Sequence, residues 1–276
     1  MAFTIEAACT CDRGKIRPKN EDNFLFDGRC LDCRQNEGFD FPVSAVGPVD
    51  GRSWFAVFDG VGGERCGEIA SLTAAQTLRD LPQTPAFDDD YEEQINTICL
   101  ALSEALVRTA DSMQVKRICT TMAGLFFKES FGYVCNIGDS KIFLLREGEL
   151  RQISVDHVMR GWRDPRRKPP ITQCLGIRPD DFIIEPAISR IALQDGDCFL
   201  LCTDGLTDMV STEEIAGMIS SAASVVRCAA ELNACAQDKG GRDNITLILC
   251  RVAENAELIC VPAAEGDQMR GDSHEL

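Results

Sequence analysis

The chain has 276 residues, of which 45% are hydrophobic and 26% are charged, and it carries a formal net charge of −16. This length and composition are typical of a globular protein with a substantial core. The acidity excludes nucleic-acid binding driven by general attraction to phosphates. No apolar run approaches the ~20 residues of a membrane span, and the first residues lack the basic and apolar regions of a secretory signal. We therefore expect a cytoplasmic protein with neither nucleic acid nor a membrane as partner.

Hydrophobic patterning predicts short β-strands along most of the chain and helices in two pairs. The predicted strands are 1–10, 24–26, 43–46, 53–58, 121–127, 132–137, 141–145, 149–153, 182–185, 188–192, 198–202 and 245–252. The predicted helices are 65–80, 92–111, 212–221 and 224–238. Asp50-Gly51 predicts a hairpin turn between strands 43–46 and 53–58. The polar, basic and proline-containing stretch 156–170 predicts a surface loop or flap.

Many of these strands are joined by short turns, and the helices do not follow the strands one by one. This order favours an α+β fold of antiparallel sheets with helices packed outside, and it argues against a doubly wound parallel sheet. No linker or composition break divides the chain, so one domain is expected over residues 1–253. The tail, 254–276, has weak patterning, and we expect it to be partly disordered.

Four short acidic segments are the strongest functional signal: Asn20–Asp22, Asp59–Gly63, Asp204–Asp208 and Gly241–Asn244. The last three adjoin apolar runs that read as buried strands, so their acids should lie at strand ends close to the core. A buried carboxylate without a cationic partner near it in the sequence has to be protonated or metal-bound. With only two histidines in the chain, oxygen ligands and hence Mg²⁺ or Mn²⁺ are favoured.

The fifteen cysteines offer an alternative metal site. Cys9 and Cys11 with Cys30 and Cys33 could form a four-thiolate zinc site, because Cys30 and Cys33 have ligand spacing. The total is odd, however, and many of the cysteines lie inside apolar patterns, where a thiol behaves as a small hydrophobic group. Free thiols in a reducing cytosol are therefore the favoured interpretation.

Taken together, a series of ordered motifs resembles the metal-dependent protein phosphatase family, the type 2C serine/threonine phosphatases, and in particular its bacterial members. The matching segments run from about residue 9 to residue 252. They are Asp12–Gly14 with Arg17, Asn20–Asp22, Phe55–Gly63, Cys119–Thr121, Asn136–Ser140, Asp156-His157, Leu201–Asp208 and Gly241–Thr246. One Asp-Gly dipeptide alone would carry no weight, since most such dipeptides mark turns; the ordered set is what identifies the family.

The resemblance implies a sandwich of two antiparallel sheets with helices on both outer faces and two Mn²⁺ or Mg²⁺ ions in a cleft at one end. It implies that Asp59 bridges both ions and that Asp204 and Asp243 hold the first. Glu21 and the backbone carbonyl of Gly60 would serve the second, partly through water.

Three further acids follow from the same resemblance. Asp22 matches an acid that supports the metal cluster. Asp139 and Asp208 match residues that bind a weaker third metal in related bacterial enzymes. For these two a structural role is the alternative: Asp139 would shape a hairpin turn, and Asp208 would cap the helix that follows it.

The implied reaction is hydrolysis of phosphoserine and phosphothreonine in proteins by a water that bridges the two cations. Arg17 matches the arginine that clamps the phosphate, a task suited to a planar bidentate donor. The implied substrates are phosphoproteins made by a partner Ser/Thr kinase, and we expect a monomer. The alternatives are a catalytically weak phosphoprotein-binding module of the same fold and a hydrolase of a small phosphoester.

The chain departs from the family pattern at several points. Val61 stands where animal members place a histidine, so a proposed general acid is absent. The flap is short and carries Arg160, Arg163, Arg166, Arg167 and Lys168. That basic cluster is either a docking surface for acidic phosphopeptides or, as we slightly favour, a solvated loop.

Supporting roles are predicted for three further positions, and one stretch has no readable role. His157 is expected to be a structural hydrogen-bonding group, and Asn244 is expected to orient Asp243. Thr120-Thr121 is expected to be core strand. The stretch 27–52 is longer than in compact bacterial relatives.

Overall fold

The structure is a computed structural model that describes residues 2–32, 38–49, 53–61, 66–82, 90–164 and 166–255, with the backbone alone for residues 39–42. The strands in these ranges are β1 (Phe3–Asp12), β2 (Asp22–Phe26), β3 (Gly38–Pro48), β4 (Trp54–Asp59), β5 (Met122–Lys128), β6 (Phe131–Ile137), β7 (Lys141–Arg146), β8 (Glu149–Gln152), β9 (Ala187–Ala192), β10 (Cys198–Cys202) and β11 (Ile245–Glu254). The helices are α1 (Gly67–Asp80), α2 (Tyr91–Ser112), α3 (Asp204–Thr207), α4 (Thr212–Ser221) and α5 (Val225–Asp238). None of these helices is long and apolar enough to cross a membrane.

The strands form two antiparallel sheets. One has six strands in the order β3-β1-β11-β10-β7-β8, and the other has five in the order β2-β4-β5-β6-β9. We call them the β1 sheet and the β4 sheet. The predicted α+β class with antiparallel sheets is confirmed.

Three apolar layers hold the sandwich together. Phe55, Phe127 and Phe199 lie in the layer between the two sheets, where their rings make edge-on contacts. A second layer joins the β4 sheet to α1 and α2, and a third joins the β1 sheet to α4 and α5. Successive side chains of a strand point to opposite faces, so in β5 Phe127 enters the first layer and Phe126 the second. Both faces of each sheet are covered, so the strands have continuous apolar sequences. Burial of each large apolar side chain contributes about 1.5–3 kcal/mol to the free energy of unfolding.

The predicted hairpin between strands 43–46 and 53–58 is wrong. β3 pairs with β1, with Val46 opposite Glu6, whereas β4 lies in the other sheet between β2 and β5. The physical reason is burial: all of β4 up to Phe58 is buried, as a central strand requires. β3 is an edge strand with Val46 77% exposed. The predicted turn, Asp50-Gly51, lies outside the described residues.

One further predicted strand is absent, and one short helix appears without having been predicted. Residues 182–185 form no strand. Only Ile184 in this apolar run is buried, whereas Phe182 and Ile183 are exposed. The short helix α3 was not predicted, since four residues carry no helical periodicity. The proposed boundary at residue 253 lies within β11, and the tail from residue 256 onward lies outside the described residues.

Candidate metal centre

The acidic segments meet at one end of the sandwich because of where the strands begin and end. Asp22 begins β2, Asp59 ends β4, and the two residues are direct partners in the antiparallel ladder. Asp204 follows the end of β10, and Asp243 precedes the start of β11, its neighbour in the β1 sheet. The expectation that these acids lie at strand ends is confirmed.

The acids are close enough to perturb one another's ionisation. Burial raises the pKa of Asp59 well above its usual range, and the charges of Asp22, Asp204, Asp139 and Asp243 raise it further. Burial likewise raises the pKa of Asp22 to about 8, with further contributions from Asp204 and Asp243. Ionising all of these acids together is therefore unfavourable unless a cation offsets their charge.

Two threonines fix the backbone of Asp59. The Thr121 hydroxyl accepts a hydrogen bond from Asp59 N at 3.1 Å, and Thr121 N donates to Asp59 O at 2.8 Å. The Thr120 hydroxyl donates to the same carbonyl at 2.8 Å. Sequence reasoning treated Thr120-Thr121 only as core strand. Their second role follows from the isolated bridge between Gly60 and Thr120, which is a long-range pairing and has no local signal.

Glu21 and Gly60, the residues expected to serve the second metal, face one small space. Gly60 N donates to Glu21 O at 3.0 Å. A β-carbon added to Gly67 would lie 3.1 Å from the Gly60 carbonyl oxygen and 3.2 Å from Glu21 Oε1. A side chain at this position would crowd both oxygens, so Gly67 at the start of α1 keeps the space between them open, a role for which the sequence gives no signal.

Asn244 ties the first acidic segment to the last. Its Oδ1 accepts a hydrogen bond from Glu21 N at 2.8 Å, and its Nδ2 donates to the carbonyls of Arg13 at 2.7 Å and Lys19 at 3.0 Å. Asn244 meets Asp243 through its backbone N–H, which donates to Asp243 Oδ1 at 2.9 Å. The predicted orienting role thus belongs to the backbone, while the side chain positions the segment that carries Glu21.

Three of the acids have cationic partners, and these come from distant parts of the chain, in keeping with the expectation that no such partner lies near them in the sequence. Arg17 Nη2 lies 2.7 Å from Asp243 Oδ2. Lys168 Nζ forms ion pairs with Oδ2 of both Asp204 and Asp208. These partners are separated from the acids by 226 and 36 residues, so inspection of the neighbouring sequence could not reveal them.

Asp139 and Asp208 lie on the same side of the centre as Lys168. Asp139 follows Gly138, whose φ of 101° marks the turn between β6 and β7. Burial and then the charge of Asp204 raise the pKa of Asp139 to about 6, with Lys168 acting in the opposite direction. Asp208 is not a helix cap for α4, because Ser211 caps that helix in a capping box with Glu214.

The flap, defined here as residues 156–176, is hydrogen-bonded at both of its ends to residues that adjoin the acidic cluster. His157 N donates to Gly138 O at 2.8 Å, and Gly138 N donates to His157 Nδ1 at 3.2 Å, which supports a structural role for His157. At the other end Leu175 pairs with Thr120. The basic residues of the flap, Arg160, Arg163, Arg166, Arg167 and Lys168, are all exposed, and of these Lys168 forms ion pairs with Asp204 and Asp208.

The donor set fits a hard divalent cation: it consists of carboxylates and one backbone carbonyl, which are ligands that Mg²⁺ and Mn²⁺ prefer. Within the described ranges, no three His, Cys, Asp or Glu side chains are already gathered tightly enough to hold an ion. Two of the expected ligands, Asp204 and Asp243, instead contact the chain's own cations. A metal ion held by Asp204 or Asp243 would therefore have to share these carboxylates with Lys168 and Arg17.

The alternative zinc site gains no support. Cys9 and Cys11 are buried in the layer between the sheets, and Cys30 accepts a contact from Arg79 Nη1 at 3.5 Å. Cys33 lies outside the described residues. All cysteines that the structure describes are free thiols.

A two-sheet sandwich between helix pairs, with aspartates converging at strand ends, defines the architecture of a metal-dependent phosphatase. The family model described as protein phosphatase 2C matches residues 44–246. The chain belongs to the protein phosphatase 2C family.

Similar proteins come from several bacteria. The serine/threonine phosphatase stp of Listeria welshimeri is 29% identical over 261 residues, covering 89% of this chain and 95% of that protein. The serine/threonine protein phosphatase PstP of Mycobacterium tuberculosis is 27% identical, covering 97% of this chain and 49% of PstP, so the chain spans about half of that relative. A solved structure of the PstP catalytic domain in complex with 2 manganese ions has a TM-score of 0.73 and 27% identity, and it covers 91% of this chain and 100% of the domain.

Proposed function

We propose that the chain hydrolyses phosphoserine and phosphothreonine in proteins with two Mn²⁺ or Mg²⁺ ions. The observation that carries this proposal is the gathering of Asp22, Asp59, Asp204 and Asp243 at one end of the sandwich, where burial and like charge raise the pKa of Asp59. Such a concentration of charge disfavours folding, and bound divalent cations would offset it. The similarity to PstP, whose catalytic domain was solved with manganese, supports the same kind of centre.

In this proposal Asp59 is a ligand of both ions, Asp204 and Asp243 hold the first, and Glu21 and the Gly60 carbonyl serve the second. When bound, the ions would lower the pKa of a shared water, making it a nucleophile, and would offset charge on the phosphoryl oxygens. Each of the five residues lies at a strand end or within two residues of one. The sheets therefore position the ligands, and Thr120 and Asn244 secure their backbone.

Arg17 is the residue that we assign to the phosphate. It approaches Asp243 through one guanidinium nitrogen, and its side chain is 43% exposed, so other donors of the planar fork remain available to a substrate. A phosphate dianion bound beside Asp243 would meet this fork bidentately. The contact would form on binding as well as during reaction, so it contributes mainly to affinity.

The leaving group presents a separate problem, because Val61 offers no side-chain acid beside Asp59-Gly60. Its backbone N–H donates to Cys119 O at 3.0 Å, which fixes the turn without supplying a proton. His157 is engaged with Gly138. We therefore assign protonation of the departing serine or threonine oxygen to solvent, so good leaving groups should react faster than alkyl ones.

The cellular setting completes the proposal. The substrates would be proteins phosphorylated by a partner Ser/Thr kinase, the chain would act as a monomer, and the compartment would be the cytoplasm. The formal net charge of −16 makes the basic flap the region best suited to approach a phosphorylated partner.

A phosphothreonine peptide assay tests the proposal. We expect phosphate release with Mn²⁺, none with EDTA, and recovery when Mn²⁺ is restored. Peptide binding without phosphate release would favour the regulatory module instead. Phosphate release from a small aryl phosphate, with no phosphate release from phosphopeptides at any concentration, would favour a small-ester hydrolase.

A further inference from the structure

Lys168 is the basic residue of the flap that reaches the acidic end of the sandwich. Its ammonium forms ion pairs with Oδ2 of Asp204 and Oδ2 of Asp208, and its charge also acts on Asp139. Its side chain is 48% exposed, whereas that of Asp204 is 18% exposed. A single flexible side chain from the flap thus delivers a positive charge into the group formed by Asp139, Asp204 and Asp208.

The neighbouring flap residues do not share this placement. Arg166, two residues earlier, contacts Asp164 within the flap and is 88% exposed. Arg167 offers its carbonyl to the indole N–H of Trp162 at 3.0 Å, which closes a turn immediately before Lys168. The flap therefore has a folded local shape that directs one of its cations inward.

We propose that the Lys168 ammonium takes the place of a third metal ion, so that this phosphatase binds two divalent cations and excludes a third from Asp139 and Asp208. The inference rests on the proposed function, since it presupposes the dinuclear centre. It makes Lys168 a residue that sets the metal stoichiometry of the site.

Charge arithmetic supports this assignment. A unit positive charge in direct contact with Asp204 and Asp208 supplies part of the neutralisation that a cation would otherwise bring. A third divalent ion held by Asp208, whose Oδ2 already contacts the ammonium, would lie about 4 Å from that charge and be repelled by several kcal/mol even at an effective dielectric constant of 20. The contact uses one oxygen of Asp204, and its second oxygen remains free to serve the dinuclear centre.

The test counts Mn²⁺ ions. Metal-free protein is titrated with Mn²⁺ and the free ion is followed by electron paramagnetic resonance, for the natural chain, Lys168→Met and Lys168→Ala. Arg166→Met is the matched control, because it removes a cation from the same loop without touching the acids. A fourth variant, Lys168→Met with Asp208→Asn, locates any new site.

We expect the natural chain and Arg166→Met to saturate at two ions. Both Lys168 variants should gain a further Mn²⁺, or bind it at least about tenfold more tightly, and the additional Asp208→Asn change should abolish that gain. In a Trp54→Phe background, where Trp162 is the one remaining tryptophan, emission should keep its wavelength as the two ions bind, because Lys168 remains in place.

Three results would overturn the inference. The first two are superimposable titrations of Lys168→Met and Arg166→Met, and a natural chain that takes up three ions. A Trp162 emission shift on filling of the first two sites would mean that metal displaces the flap, which also contradicts it. Phosphopeptide hydrolysis is measured in parallel. Hydrolysis with unaltered stoichiometry refutes the role of Lys168 alone, whereas absence of both Mn²⁺ binding and hydrolysis refutes the proposed function.

Discussion

Asp22 and Asp59 lie directly opposite each other on adjacent antiparallel strands, the first residue of β2 against the last residue of β4. Like charges in such cross-strand positions are destabilising, and here burial adds to the effect. The Thr203 hydroxyl donates to Asp22 Oδ2 at 2.8 Å and offsets part of it. The strand pair therefore holds two acids in a position that only a proton or a cation makes favourable.

The metal-free protein should lose stability as pH rises. Folded Asp22 keeps its proton up to a pKa of about 8, against 3.8 when unfolded, so the folded state binds more protons throughout that window. Between pH 6.5 and 8 we expect a loss on the order of 1–2 kcal/mol. Urea unfolding in EDTA measures it, and Asp22→Asn should flatten the profile. A natural chain that becomes more stable over this range would contradict the assignment.

Asp59→Asn should separate stability from function. Removing one of the crowded charges should stabilise the metal-free fold by on the order of 1 kcal/mol, yet lower phosphopeptide turnover at least about a hundredfold because a shared metal ligand is lost. Thermal unfolding in EDTA and an Mn²⁺-dependent assay measure the two effects. Near-normal turnover with Mn²⁺ present would refute the bridging role.

Arg17→Ala should raise KM for a phosphothreonine peptide by about tenfold with a smaller change in kcat, because the arginine contacts phosphate in the bound state as well as during reaction. Steady-state kinetics with saturating Mn²⁺ measures the split. Lys15→Ala is a suitable control, since Lys15 lies in the same loop and its ion pair is with exposed Asp238. A defect confined to kcat would be inconsistent with the clamp.

Asn244→Ala should weaken both the fold and the second metal position. The change leaves Glu21 N and the carbonyls of Arg13 and Lys19 without their side-chain partner, which costs about 2–3 kcal/mol. Chemical denaturation and Mn²⁺ titration measure the loss. Asn233→Ala is the control, because its contact to Asp12 is 3.5 Å long and should matter by less than about 1 kcal/mol.

The opposite end of β10 offers a stability test that should spare catalysis. Asp197 is 1% exposed and receives two 2.7 Å hydrogen bonds from Arg146. Asp197→Ala leaves the guanidinium with the Ala192 carbonyl but without its carboxylate partner, and should cost about 3 kcal/mol. The value of kcat/KM at 20 °C, where the variant stays folded, should be unchanged. A parallel loss of activity would mean that the two ends of the sandwich are coupled.

The position of several acids at strand ends could be predicted from the sequence. An aspartate next to an apolar run marks the point where the chain leaves the core. Asp59 and Asp243 illustrate this. Partners across sheets could not be predicted in the same way. Strand 43–46 has an ordinary alternating pattern, and its choice of β1 over β4 depends on which sheet has a free edge. That is a property of the whole assembly, and local sequence does not contain it.

The metal ligands were predictable as residue types, whereas their neighbours were not. Thr120 reads as a core residue until its pairing beside Gly60 is known, and Gly67 reads as an unremarkable first helical residue until the oxygens around its α-carbon are seen. Lys168 belongs to a basic stretch in which sequence gives no reason to prefer one cation. Only the folded flap distinguishes it from Arg166.

The first and last described strands, β1 and β11, are partners along ten residue pairs in the middle of the β1 sheet. Synthesis must therefore proceed past β11 before β1 acquires its second neighbour in the sheet, since β3 is the first. Asp243 arrives on the same late segment. The nascent chain consequently cannot bring Asp243 to the other acids until β11 has been made, and until then the β1 sheet lacks the strand that joins β1 to β10, when chaperone assistance would matter most.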